Sequence, residues 1–191
     1  MRSESHALKL PYRLSVCGKN EIDAFSGKRL THILSLEDPG TPQDTPSWFK
    51  GVHWQIQFHD VESIREAVEF GATAPTEDQV AEILGYGQEC LEASRTRRVH
   101  LLVHCWAGAS RSTAACYALL VQAVGVERAS EALQYIRDIR PEAFPNQLIV
   151  KHADHLLGCR GELIRALAPF REDFIKMVEG WFAKLKRNEP P

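Results

Sequence analysis

The chain contains 191 residues, of which 44% are hydrophobic and 25% are charged. This length supports one sizeable hydrophobic core and is short for two full domains, so a single domain spanning residues 1–191 is expected. The formal net charge of -2 and the isoelectric point of about 6.4 exclude the global basic field that gathers nucleic acid, and no nucleic-acid partner is expected.

Residues 1–6 lack the continuous apolar core of a secretory signal, and no later run reaches membrane-spanning length. The five cysteines are an odd number and include no Cys-x-x-Cys pair, which argues against a disulfide framework and against a structural zinc site. We therefore expect a cytoplasmic protein with reduced thiols, no membrane span and no metal.

Three short segments rich in β-branched or aromatic residues predict strands at residues 13–17, 31–36 and 52–58. Residues 37–47 contain three prolines and a glycine, which predicts an exposed loop placed to flank a site. The N-terminal part of the chain therefore has the pattern of strands joined by loops.

The next elements alternate between helix and strand. Thr76 is a suitable N-cap for a helix that continues to about residue 94, although Gly85 and Gly87 disfavour a helix there. A strand is predicted at residues 99–103, followed by a helix at 112–124 that ends at a glycine.

The C-terminal part predicts helices at residues 127–138, 146–157 and 171–187, and the last has a broad apolar face that is expected to close the core. Strands first and helices later, with one strand–loop–helix unit, predict an α/β fold: a single domain with a small, mostly parallel central sheet flanked by helices. The core is expected within about residues 13–157, with C-terminal helices over about 161–187.

The strand–loop–helix unit carries the sequence His-Cys-Trp-Ala-Gly-Ala-Ser-Arg-Ser at residues 104–112. A loop from a strand end to a helix N-terminus presents backbone N–H groups without intrahelical partners, and the helix dipole adds positive potential. Gly108 permits backbone geometry that a side chain would obstruct, and Ala107 and Ala109 leave the concavity open. The loop is therefore predicted to bind inorganic phosphate or another oxyanion through Trp106, Ala107, Gly108, Ala109, Ser110 and Arg111.

The side chains of this unit predict nucleophilic chemistry. Cys105 lies at the mouth of the loop, where the donors that bind phosphate also stabilise a thiolate without a metal. Arg111 offers a planar, bidentate fork to phosphoryl oxygens. His104 is expected to hold the loop by hydrogen bonds, and Ser112 to donate its hydroxyl to the sulfur when the sulfur leaves phosphorus. Trp106 is expected to pack under the loop rather than meet substrate.

The string His-Cys-x-x-Gly-x-x-Arg-Ser resembles the active-site signature of the protein-tyrosine phosphatase superfamily, in particular its compact dual-specificity-like, bacterial-type branch. The resemblance extends over about residues 13–157. It implies a protein-tyrosine-phosphatase-like fold, a phosphorylated protein or a small phosphomonoester as substrate, and no cofactor. It also implies that residues 140–147 pack behind the loop, where Asn146 or Gln147 braces the loop or orients water; a plain helix cap is the alternative for Asn146.

A phenolic or alkoxide leaving group departs poorly without a proton, so the mechanism requires a carboxylic acid facing the cysteine. Asp60 is predicted to be this general acid, because it directly follows the strand at 52–58, where the resemblance places the family's acid. Its spacing of 45 residues from Cys105 exceeds that of compact relatives, and the excess falls in residues 69–75. Asp78, which suits a helix first turn, and Asp38 and Glu62 are the alternatives.

Two other classes of protein use similar features. One is a catalytically silent module that binds phosphorylated residues and lacks a competent acid, and the other is a rhodanese-type sulfurtransferase, which also uses a loop cysteine. The loop has no lysine, which disfavours a highly anionic lipid headgroup as substrate. The complete set of Cys105, Arg111 and Ser112 favours an active phosphatase.

Overall fold

The computed structural model describes the backbone of residues 8–186 and the side chains through residue 182. Four strands form one sheet in the order β1-β4-β2-β3, and every neighbouring pair is parallel. The predicted strands are confirmed to within two residues at each end. They are β1 (Arg13–Gly18), β2 (His32–Glu37), β3 (Val52–Gln57) and β4 (His100–Cys105).

Strand β4 lies between β1 and β2, and all six of its residues are buried. A strand in the middle of a parallel sheet is covered on both faces, which explains why β4 is a nearly continuous apolar run. Strand β3 is at the sheet edge, and its burial is correspondingly partial. The strand that carries Cys105 is therefore, like its neighbour β2, buried along its whole length.

Six α-helices flank this sheet. They are α1 (Ile64–Phe70), α2 (Glu77–Ser94), α3 (Arg111–Val124), α4 (Ala129–Ile139), α5 (Gln147–Leu156) and α6 (Glu162–Lys186). Two short 3₁₀ helices, Lys19–Phe25 and Val126–Arg128, complete the described elements. None of the helices within residues 8–186 has the length and apolar character needed to cross a membrane.

Helix α2 is continuous through both of its glycines. Its N-terminus is fixed by a capping box, in which the side chains of Thr76 and Gln79 each bond the other residue's backbone N–H. Gly87 is buried, and a Cβ there would collide with the side chains of Leu119 and Gln122 on α3. A glycine at this position therefore permits close packing of α2 against α3 and does not end the helix.

Two features differ from the sequence prediction. Helix α1 was not predicted, because it is only seven residues long and its apolar residues Ile64 and Val68 face solvent instead of forming a buried stripe. The last helix begins at Glu162 rather than near residue 171.

The prediction that the apolar face of the last helix closes the core is wrong. Its core contacts come from the first turns, through Leu163, Leu167 and Phe170, which are at most 8% exposed. Downstream, Trp181 and Phe182 are about half exposed, at 47% and 53%. The predicted apolar side chain at residue 185 and the basic ones at 184, 186 and 187 lie outside the described side chains.

The strands carry four histidines whose charged form is disfavoured by the fold. Burial lowers the pKa of His32, His53 and His100, and it lowers the pKa of His104 to about 4. The His104 ring is fully buried, and its Nε2 shares a hydrogen bond of 2.5 Å with Ser35 Oγ on β2. Protonation of these rings therefore opposes folding.

We predict that lowering the pH from about 7 to about 5 reduces the free energy of unfolding, because unfolded histidines with a pKa near 6.5 bind protons that the folded strands exclude. The stabilisation is complete above that value and declines as the pH falls towards the folded pKa of His104, about 4. Urea unfolding across this range measures the effect. His104→Gln should give a shallower pH dependence than the wild type, and an unchanged slope would contradict the assignment.

Candidate active site

The carboxyl ends of parallel strands meet at one edge of a sheet, and this edge is where α/β proteins bind ligands. Here β4 ends at Cys105, β2 is followed by Asp38, and β3 is followed closely by Asp60. Three predicted candidates that are distant in sequence therefore converge at one edge.

Residues 105–111, termed the signature loop, are held by their backbone carbonyls. Three of these carbonyls accept hydrogen bonds from two parts of the scaffold outside the loop, the residue after β1 and the segment 140–147. Lys19 N donates to Trp106 O (3.0 Å), Arg140 Nη2 to Ala107 O (2.8 Å) and Phe144 N to Ala109 O (2.8 Å). The predicted packing of residues 140–147 behind the loop is thus observed.

The residue that anchors one of these carbonyls is itself fixed. Arg140 Nη1 lies 2.8 Å from Glu21 Oε2, and the same oxygen accepts a hydrogen bond of 2.5 Å from Gly18 N. These hydrogen bonds, from Gly18 and then from Arg140, lower the pKa of Glu21. The end of β1 and the segment after α4 are therefore joined beneath the signature loop.

The amide groups of the signature loop have the opposite orientation. Among the residues that the structure describes, the backbone N–H groups of residues 106–111 donate to no protein acceptor. Gly108 has φ +72°, and a Cβ on it would collide with the backbone of Cys17 and Gly18. With the carbonyls held outward, the N–H groups form a concave nest of donors of the kind that binds an oxyanion.

Cys105 is 1% exposed and lies at the floor of the signature loop, deeper than the mouth position expected from the sequence. Its Sγ is 3.2 Å from the hydroxyl oxygen of Ser112, which is fully buried in the first turn of α3. The Ser112 hydroxyl is within hydrogen-bond distance of the sulfur, as predicted.

Arg111 is buried and turned towards Asp38. Its Nη1 donates to Asp38 Oδ1 (2.7 Å) and to the carbonyl of Phe58 (2.8 Å). Its Nε is buried and has no hydrogen-bond partner within the described chain. A buried guanidinium N–H without an acceptor is costly, so this atom is available to a ligand oxygen.

Asp60 borders the signature loop directly. Its Oδ1 accepts hydrogen bonds from Ser110 Oγ (2.6 Å) and from Asn146 Nδ2 (2.8 Å). Asn146 is fully buried, and its Oδ1 accepts from the backbone N–H groups of Leu148 and Ile149 at 3.1 Å. Asn146 is therefore both the N-cap of α5 and a contact of Asp60, so the two alternatives for this residue are compatible.

The other carboxylates considered from the sequence lie in different surroundings. Glu62 pairs with Arg171 at 3.2 Å and accepts a hydrogen bond from the backbone of Gln147, away from the nest. Asp78 is exposed in the first turn of α2. Asp38 is bound to Arg111. Of these four carboxylates, Asp60 is therefore the one that accepts a hydrogen bond from the signature loop and is not ion-paired to Arg111.

One expectation about a neighbouring side chain is wrong. Trp106 does not pack beneath the signature loop: it is 66% exposed and lines an open cavity. The ring of His104 contacts Ser35 on β2 and lies 3.6 Å from Glu37 Oε1, so it joins β4 to β2 at the residue before the loop. The space below the loop is occupied by β1 residues, which leaves no room there for an indole.

The cavity beside the signature loop has a volume of about 570 Å³, and Asp38, Asp60 and Arg111 are among the residues that line it. Its wall includes residues of α1 and of the turn after it. Within residues 8–182, no three His, Cys, Asp or Glu side chains are grouped so that they could hold a metal ion. Sequence reasoning missed the Arg111–Asp38 pair and the contribution of α1.

Solved structures with this fold include the Yvh1 phosphatase domain from Chaetomium thermophilum, with a TM-score of 0.57 and 23% identity over 79% of this chain and 94% of that one. DUSP15 gives a TM-score of 0.55 at 19% identity, over 88% of this chain and 94% of its own. PTPMT1 in complex with PI(5)P gives 0.53 at 16% identity, over 78% and 94%. At these identities the likeness establishes the fold.

No curated protein matches the chain by sequence. The family model for the dual specificity phosphatase, catalytic domain, matches residues 25–153, which include both strand-end carboxylates and the whole signature loop. This span is well over half of the chain. The chain therefore belongs to the dual specificity phosphatase catalytic domain family.

Proposed function

We propose that the protein hydrolyses phosphomonoesters on protein side chains through a cysteinyl-phosphate on Cys105 and without a cofactor. The observation that carries this proposal is the nest of unpaired N–H groups in residues 106–111 above a buried thiol. An oxyanion supplies the acceptors that these donors lack, and the unpaired Arg111 Nε adds a charged donor at the same place.

In the first step, Cys105 Sγ attacks phosphorus in line while Arg111 and the loop amides hold the equatorial oxygens. The bond between phosphorus and the ester oxygen breaks, and Asp60 protonates that oxygen. Both hydrogen bonds to Asp60 fall on Oδ1, which leaves Oδ2 to carry the transferred proton. The products are a cysteinyl-phosphate and the free alcohol or phenol.

In the second step, Asp60 accepts a proton from the attacking water, and the phosphorus–sulfur bond breaks to release inorganic phosphate. The Ser112 hydroxyl, 3.2 Å from Sγ, donates a hydrogen bond to the departing thiolate. Asn146 and Asp38 act as positioning residues, because the first orients Asp60 and the second orients Arg111. Each reactive side chain thus has a dedicated partner.

The alternative functions receive less support. A silent binding module would not need a carboxylate held 2.6 Å from the loop hydroxyl of Ser110. A rhodanese-type sulfurtransferase is disfavoured by Arg111 and by the family assignment. The structural neighbour PTPMT1 was solved with PI(5)P, but here the loop side chains between Cys105 and Arg111 contribute no cation, which disfavours a phosphoinositide.

The chemistry also favours a reducing compartment, such as the cytoplasm. All five cysteines are free and buried, and the proposed cycle requires Cys105 as a thiolate. The net charge of -2 gives no support to a nucleic-acid partner.

Cys105→Ser should abolish turnover of para-nitrophenyl phosphate while retaining binding of inorganic phosphate, because the nest and Arg111 remain. Steady-state rates and calorimetric titration with phosphate measure the two properties. Cys159→Ser, a change at a buried cysteine remote from the signature loop, is the matched control and should keep the wild-type rate. Turnover retained by Cys105→Ser would overturn the covalent route.

Asp60→Asn should slow hydrolysis of phenyl phosphate by roughly 100-fold or more, and hydrolysis of para-nitrophenyl phosphate much less, because only the poorer leaving group needs a proton. The readout is kcat/KM for each ester, because it reports the first step and is independent of the second step, which the two esters share. Asp38→Asn is the control: it disturbs Arg111 and should slow both esters to the same extent. Equal slowing of both esters by Asp60→Asn would remove Asp60 from the acid role.

Gly108→Ala should prevent the signature loop from closing, since the added Cβ meets the backbone of β1 and since φ is +72°. We expect a loss of stability of about 2–4 kcal/mol and loss of phosphate binding. Gly158→Ala, at φ +66° with open space around its Cβ, should cost only the backbone strain of about 1 kcal/mol. Urea unfolding compares the two, and equal losses would show that the contact with β1 is unimportant.

A further inference from the structure

Two large aromatic side chains stand exposed at the rim of the cavity beside the signature loop. Phe70, the last residue of α1, is 69% exposed, and Trp106 is 66% exposed. Both line the same cavity as Asp60 and Arg111. Exposed aromatic residues that border a proposed reaction site provide binding surface for an apolar part of a substrate.

The segment that carries Phe70 is hydrogen-bonded to His59, the residue directly before Asp60. His59 N donates to Thr73 O (2.8 Å), and Thr73 N donates to His59 Nδ1 (2.9 Å), which closes residues 59–73 into a loop beside Asp60. Inside it, Ser63 caps α1, and Gly71 ends the helix in the left-handed conformation. Phe70 is therefore held at a fixed position relative to Asp60.

The depth of the site favours a long phosphorylated side chain. The thiol of Cys105 is 1% exposed and Arg111 is 3% exposed, whereas the aromatic rings stand at the rim. The part of a substrate that links the phosphate to the peptide backbone therefore lies on the side of the site where Phe70 and Trp106 are exposed. A phenyl ring offers these two rings a large apolar surface to pack against, whereas a serine methylene offers very little.

The charges around the cavity disfavour polyanions. Its lining contains three carboxylate side chains, Asp38, Asp60 and Glu66, and a single permanent cation, Arg111. One phosphate is neutralised by Arg111 and the loop amides. Additional phosphates would face the carboxylates without compensation.

We propose that Phe70 and Trp106 form an aromatic clamp that makes this site selective for phosphotyrosine over phosphoserine, phosphothreonine and multiply phosphorylated headgroups. The clamp rests on the proposed function, because it assigns a substrate class to the same site. Helix α1, which ends at Phe70, is then the specificity element.

The test compares one peptide sequence phosphorylated on tyrosine, serine or threonine, together with inositol trisphosphate. The wild type should have a kcat/KM for the phosphotyrosine peptide at least about tenfold above the others, and Phe70→Ala should raise the KM for that peptide about tenfold with kcat nearly unchanged. Trp106→Ala should lower the tyrosine-to-serine ratio as well. Val68→Ala, on the same helix, 79% exposed and outside the cavity lining, should match the wild type.

The outcomes separate the clamp from the proposed function. Equal wild-type activity on the three peptides, or loss of the same factor on all of them in Phe70→Ala, overturns the clamp and leaves the phosphatase intact. If the wild type hydrolyses none of the substrates, the proposed function fails. The clamp is then tested by measuring the affinity of the Cys105→Ser variant for the phosphotyrosine peptide. This affinity must fall about tenfold when Phe70→Ala is added and stay unchanged when Val68→Ala is added.

Discussion

The orientation of six peptide groups in the signature loop is the constraint on which the rest of the site depends. Peptide groups are polar at both ends, so a loop that points its N–H groups inward must satisfy its carbonyls outside. Here the donors to these carbonyls come from two segments that are remote in sequence, one with Lys19 and the other with Arg140 and Phe144. The fold places both segments beside the loop, and the nest depends on both of them.

The reactive side chains depend on the same arrangement. Cys105 is at the end of a fully buried strand, and Arg111 begins the helix that follows, so the loop sets the separation between sulfur and guanidinium. Ser110 and Asn146 join the loop and the start of α5 to Asp60. The proton donor is thereby positioned by the same backbone that binds the phosphate, which couples acid catalysis to the closed loop.

The contiguous part of this site could be predicted from sequence, because a strand, a tight loop and a helix N-terminus fix the geometry of residues 104–112 locally. Asp60 could be predicted from its place after a strand, since parallel strands bring their carboxyl ends together. The Arg111–Asp38 pair could not, because the two residues are 73 positions apart and their contact depends on the adjacent placement of β2 and β4 in the sheet. The exposed position of Trp106 depends on β1 filling the space below the loop, which no local pattern encodes. Helix α1 lacked the buried apolar periodicity that reveals longer helices.

The central claim is that the nest exists to hold a phosphoryl group while Cys105 carries it covalently. The most direct measurement is intact-mass and peptide-mapping mass spectrometry after rapid acid quench of Asp60→Asn reacting with para-nitrophenyl phosphate, since the second step should be slow in that variant. The account predicts a mass increase of one phosphoryl group on the peptide that contains Cys105. A phosphoryl group on another residue, or turnover with no covalent adduct at any time point, would contradict it.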